Sequence, residues 1–128
     1  MKNYRTIWKV TLLFLITAGC EKLEIGEPIT CLTGQTYKVE GRLSFSIDSI
    51  NDSRCPKNAL CFWTGDVSLY FSISQNSHRT DTLISMLNNN PFIVDYYTWK
   101  ILEVEPYPEA GKEIDPADYR IKMVILRN

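Results

Sequence analysis

The chain has 128 residues, which suffices for one domain with an ordinary core and is too short for two. Its formal charge is −1, but Lys2, Arg5 and Lys9 supply three of its 14 basic residues, and without them 11 basic residues face 15 acidic ones, a charge of −4. The remaining body therefore lacks the concentrated positive field that neutralises phosphates, which excludes nucleic acid as an expected partner and leaves no basic patch to hold a membrane.

In chain order, the first element is an export signal. Met1 to Lys9 carries the three positive charges, and Val10 to Ala18 is an apolar run, which together read as the n-region and h-region of a signal peptide over residues 1–19. A spanning helix needs about 20 apolar residues, and Glu21, Lys22 and Glu24 end this run early. The run closes on Thr17-Ala18-Gly19-Cys20, which resembles the lipobox of bacterial lipoproteins, with Thr17 in place of the usual leucine. That resemblance implies cleavage before Cys20 and a thioether lipid, with acyl chains such as palmitate, on its thiol. Each buried CH₂ of those chains would add roughly 0.8 kcal/mol of membrane affinity, so the expected membrane partner is reached through the lipid on Cys20. Glu21 is not the aspartate that resembles an inner-membrane retention signal, so the expected address is the outer membrane. Glu21 and Glu24 also resemble surface-export signals of some Gram-negative lipoproteins, and both the periplasmic and the surface face fit the sequence.

Residues 20–33 contain Gly26 and Pro28 without sustained periodicity and read as a lipidated tether, with the folded domain expected over residues 34–128. In that domain the dominant period is two. Leu43, Phe45 and Ile47 alternate with Ser44, Ser46 and Asp48, and Val67, Leu69, Phe71 and Ile73 alternate with Ser68, Tyr70, Ser72 and Ser74. Tyr37 to Val39, Thr82 to Leu87, Phe92 to Tyr96, Trp99 to Val104 and Tyr119 to Leu126 are further β-rich runs, separated by Gln75-Asn76-Ser77, by Asn88 to Pro91 and by a Pro-rich loop from Pro106 to Pro116. Only Asp115 to Asp118 suggests a helical turn. The expected fold is all-β, an antiparallel β-sandwich with an immunoglobulin-like topology among its candidates or, alternatively, a small β-barrel, with strand order open.

Between the two clearest strands lies Asn51 to Gly65, with Cys55 and Cys61. Once Cys20 is taken by lipid, Cys31, Cys55 and Cys61 remain in an oxidising compartment where disulfides persist. A short loop between antiparallel strands can bring Cys55 and Cys61 within bridging distance, so a Cys55–Cys61 disulfide is expected, worth about 2 kcal/mol. Cys31 is then a free thiol or a partner for another chain. Zinc is not expected, because the single histidine, His78, follows a separate turn and reads as solvated. Asp48, Asp52 and Asp66 bracket the loop, but their spacing matches no calcium loop, so no metal and no cofactor are expected.

The run Asp52-Ser53-Arg54-Cys55-Pro56 followed by Cys61-Phe62-Trp63-Thr64-Gly65 is similar to the D-S-R-C-P…C-x-W-x-G signature of an uncharacterised group of small bacterial lipoproteins. Pro106-Tyr107-Pro108 and the closing strand from Tyr119 are similar to that group too. The resemblance covers about the whole mature domain and implies no activity, substrate or cofactor. Phe62 and Thr64 stand where the group more often has an aliphatic residue and alanine.

No catalytic set is legible: there is no G-x-S-x-G, and the serines alternate along strands as the wet side of a sheet. Arg54 is a candidate partner contact for a carboxylate or phosphate, against an ion pair with Asp52 or Asp66 as the favoured reading. Trp63, Tyr97 and Trp99 are candidate partner contacts, against core packing, which is favoured especially for Trp63 beside a disulfide. The expected function is a lipid-anchored, non-enzymatic binding or structural module of the cell envelope, with an envelope protein or glycan as partner. The alternative is an inhibitor or accessory protein that presents Ser53 to Gly65 to an enzyme, and a small hydrolase ranks third.

Overall fold

Alternating apolar and polar residues leave each sheet with one apolar face to bury, and in its computed structural model, which describes residues 23–128, the chain does so by stacking two sheets. The signal peptide and Cys20 lie outside the described residues. Among the described residues eight strands form: β1 (Ile29–Leu32), β2 (Thr36–Lys38), β3 (Leu43–Asp52), β4 (Val67–Gln75), β5 (His78–Ser85), β6 (Phe92–Val94), β7 (Tyr97–Glu105) and β8 (Arg120–Arg127), with a 3₁₀ turn at Pro116–Asp118 before the last. One sheet has the order β2-β3-β4-β5 and the other β1-β8-β7-β6, all neighbours antiparallel. The two sheets stay separate, so the fold is a sandwich and not the alternative barrel. Its consecutive β2 to β5 meander also differs from the division of strands between the sheets of an immunoglobulin domain.

The turns follow local chemistry. Asn76 and Ser77 both adopt positive φ, 49° and 67°, in the two-residue loop that joins β4 to β5, the backbone handedness that matches strand twist. Two bulges then correct the phase of the long strands. The register slips between Ile47 and Ser49 in β3 and between Ile101 and Glu103 in β7, so that Asp48 and Leu102 are passed over and Ile50 and Val104 return to the inner side. Without the bulges, strict alternation would turn both residues outward.

Aromatic rings lock the sheets together. Phe45 and Phe71 of one sheet meet Trp99 and Phe92 of the other, with centroids 5.1 Å apart for the edge-on Phe45–Trp99 pair and 5.5 Å for Phe71–Phe92. β1 lies within residues 20–33, the segment that reads as a tether in the sequence, and corrects that boundary. Its Ile29 to Leu32 pairs with Met123 to Arg120 of β8, and Cys31 packs into the core as a buried free thiol. Four residues with a single buried side chain, set between Gly26 and Gly34, give too short a pattern to stand out from a linker.

The strands also define two poles. At one, Leu23 N donates to Lys38 O, Asn128 N donates to Tyr96 O, and Tyr97 Oη donates to Glu40 at 2.8 Å. At the other, β3 ends at Asp52, β4 begins at Val67 and β7 ends at Glu105. The cysteine loop stands on this second pole.

Candidate functional site

The loop from Ser53 to Gly65 begins as a continuation of the β3–β4 ladder. Ser53 N donates to Asp66 O and Cys55 N to Thr64 O, both at 2.8 Å. Gly65 has φ +68°, and a Cβ there would stand 1.9 Å from Ser53 O, so only glycine lets the two sides of the neck approach. Beyond the neck, the Cys55–Cys61 disulfide closes the loop with Cα atoms 5.9 Å apart, as expected.

Arg54 fixes the neck to the second sheet. Its Nε and one terminal nitrogen grip Asp52 at 2.8 and 2.7 Å, its other terminal nitrogen donates to Val104 O at 2.8 Å, and its guanidinium lies 4.7 Å from the Tyr107 ring centre. Tyr119 Oη adds a bond to Asp52 at 3.0 Å. Burial opposes ionisation of Asp52, yet the hydrogen bonds and charge of Arg54 outweigh it and hold the carboxyl below its usual range. Burial likewise works against the Arg54 cation, and Asp52 reverses the effect so that its pKa rises. The guanidinium is thus spent within the molecule and is not presented to a partner. The pair is with Asp52 and not with Asp66, which instead holds Ser85 Oγ and, at 3.3 Å, Leu87 N.

A second latch holds the flank. Lys57 N donates to Pro108 O at 3.1 Å, Ala110 N donates to Asn58 Oδ1 at 2.6 Å, and Glu109 receives both Lys57, at 2.6 Å, and Lys112. These two cations, Lys112 first, pull the Glu109 carboxyl down to about 2.

The tip of this pinned loop is apolar and bare. Leu60 and Phe62 are fully exposed and Trp63 is 80% exposed. The expectation that Trp63 packs in the core is corrected: the disulfide lies beyond the last ladder bond and not between the sheets, so the residues after Cys61 have no inner face to turn toward. Tyr97 and Trp99, the other two candidate contacts, are buried on β7 at 7% and 0% exposure, which corrects their reading as partner contacts. At the neck of the loop, beside Thr64 and Gly65, lies a separate groove of about 370 Å³, with Leu87, Leu102 and Tyr107 exposed along it and Arg54 in its wall.

Asp48 hydrogen-bonds Ser46 and Ser72 on the outer face of its sheet, so Asp48, Asp52 and Asp66 each serve a different partner. Among the described residues no group of three histidine, cysteine, aspartate or glutamate side chains converges on a metal position. His78 opens β5 with its side chain exposed. Sequence reasoning missed Tyr107 and Tyr119 as supports of the neck, because both are more than 50 residues from Arg54 and Asp52 along the chain. In the sequence Phe62 stands out only as part of the motif, and the signal that could have found it with Leu60 is the apolar run Leu60-Cys61-Phe62-Trp63 in a loop. Comparison of the chain with family models, curated proteins and solved structures returns no match.

Proposed function

We propose that this chain is a lipid-anchored protein of the cell envelope, tethered to the outer membrane through Cys20, whose sandwich is a non-enzymatic binding module with the Ser53–Gly65 loop as its contact surface. The observation that carries the reading is the full exposure of Leu60 and Phe62, with Trp63 beside them, on a loop fixed at its neck, flank and bridge. Burial of each such side chain contributes roughly 2 kcal/mol, and a contiguous exposed apolar tip is characteristic of a contact surface. A loop already held in one shape also loses little conformational entropy on binding. The motif Asp52 to Pro56 with Cys61 to Gly65 supports placing the chain in the small lipoprotein group named above; Asp52, Arg54, Cys55, Cys61 and Gly65 build the scaffold, and Trp63 is what the scaffold presents.

The same convex, closed loop also favours the second reading, an inhibitor or accessory protein that seats the loop in the cleft of an enzyme. Full-length protein and its L60S/F62S/W63S variant can be compared for retention of solubilised envelope proteins and of envelope glycans. The variant is expected to lose a ligand that the parent retains, and equal retention by both would overturn the role of the loop. Cys20→Ser is expected to move the protein from the membrane to the soluble fraction.

A further inference from the structure

The two poles give the loop a direction. The described chain begins at Leu23, which is bonded to Lys38 at the pole opposite the loop. Two residues lie between Cys20 and Leu23, so three steps along the chain give a reach of at most about 11 Å, whereas the ten residues of β3 that run from one pole to the other span about 30 Å. A bilayer that holds Cys20 therefore lies against the first pole. The loop reaches that bilayer only if the sandwich lies flat on one of its outer sheet faces, which mix serines and charged side chains with exposed Tyr70, Leu83, Leu102 and Leu126.

The surroundings of the loop carry a second signal. Its flank is an acidic shoulder in which Glu105, Glu109, Glu113 and Asp118 line one depression with Lys57 and Lys112. Both lysines are engaged by Glu109, and no ion pair matches Glu105, Glu113 or Asp118 among the described residues. Anionic headgroups would be repelled there, and a basic rim would be attracted.

We propose that Leu60, Phe62 and Trp63 seat in an apolar cleft, rimmed by basic side chains, of a partner protein that lies beyond the pole facing away from the anchoring membrane. This rests on the readings of Cys20 as the lipid anchor and of the loop as a contact surface, and adds the class of partner and the side on which it is met.

The test uses the full lipoprotein in cells, with the photo-crosslinker p-benzoylphenylalanine in place of Phe62 or, at the opposite pole, of Arg42. Purified lipoprotein in vesicles of brominated phosphatidylcholine reports in parallel whether Trp63 meets lipid, read as the difference in emission between the parent and W63F. The expected result is a discrete protein adduct from position 62 and none from position 42. Its yield should fall about tenfold in E113K/D118K, with Trp63 emission unquenched. The unfolding midpoint of E113K/D118K verifies its fold, and E113K alone serves if the pair unfolds. A lipid adduct or quenched Trp63 overturns the proposal while leaving the loop as a contact surface, since the bilayer is then its occupant. An adduct indifferent to charge reversal overturns the basic rim. Neither adduct nor quenching overturns both this proposal and the contact role of the loop.

Discussion

Trp63 and Trp99 are the same residue type in opposite circumstances, and the difference is one of support on both sides. Trp99 is held in the core by Phe45, Phe71 and Phe92, so Trp99→Ala removes a large buried volume and should cost about 3–5 kcal/mol in urea unfolding. Trp63→Ala should change stability by less than about 0.5 kcal/mol while weakening partner retention. A comparable loss of stability in the two variants would show that Trp63 packs after all. Gly65 is the residue on which the neck depends: Gly65→Ala must move the Ser53 carbonyl and should cost more than about 2 kcal/mol, measured as a lower unfolding midpoint. None of these contrasts is visible in the residue names. The side that a tryptophan faces depends on strand phase, and the phase of a loop residue depends on where the ladder stops.

At the scale of elements, the strands with five or more alternating residues were legible, because period-two hydrophobicity is itself the physical cause of a half-buried strand. β3 and β4 lie where the alternation places them, and β7 and β8 where the β-rich runs Trp99 to Val104 and Tyr119 to Leu126 do, with ends shifted by a few residues. β5 begins at His78, earlier than the apolar run at Thr82, because the turn at Asn76 and Ser77 sets its register before any hydrophobic residue does. β1 escaped notice because its evident cue is a single inward Cys31. Its contribution is nonetheless cohesive: it covers the β8 edge and shields Ile121 and Met123. A chain that starts at Gly34 should therefore expose that edge, unfold less cooperatively than one that starts at Leu23, and aggregate at lower concentration. Matching unfolding curves and monomeric elution for both chains would contradict that role for β1.

For the molecule as a whole, stability should fall on the alkaline side more than its surface charge suggests. Burial pushes the Cys31 thiol up to about 12 from 9.0, and burial with the Asp52 hydrogen bond pushes Tyr119 up to about 12 from 10.0. In each case the unfolded chain releases its proton first, so the stabilisation is fully present below pH 9 and is lost as pH rises toward 12. Cys31 alone should account for about 2 kcal/mol by about pH 10.5. Urea midpoints at neutral and alkaline pH should diverge for the parent and much less for Cys31→Ala; an unchanged divergence would assign the loss elsewhere. On the acid side the sign reverses for Asp52, whose stabilisation by Arg54 is present at neutral pH and lost as pH falls through its lowered range. By itself the sequence determined the all-β class, the main strands and the Cys55–Cys61 pairing, because each follows from residues close together along the chain. Only the tertiary structure decided the strand order, the burial of Cys31, Tyr97 and Trp99, the capture of Arg54 by Asp52 and β7, and the exposure of Leu60, Phe62 and Trp63. These depend on which distant strands meet and where their ladders end, and contacts across 50 or more residues leave no periodic trace in the chain.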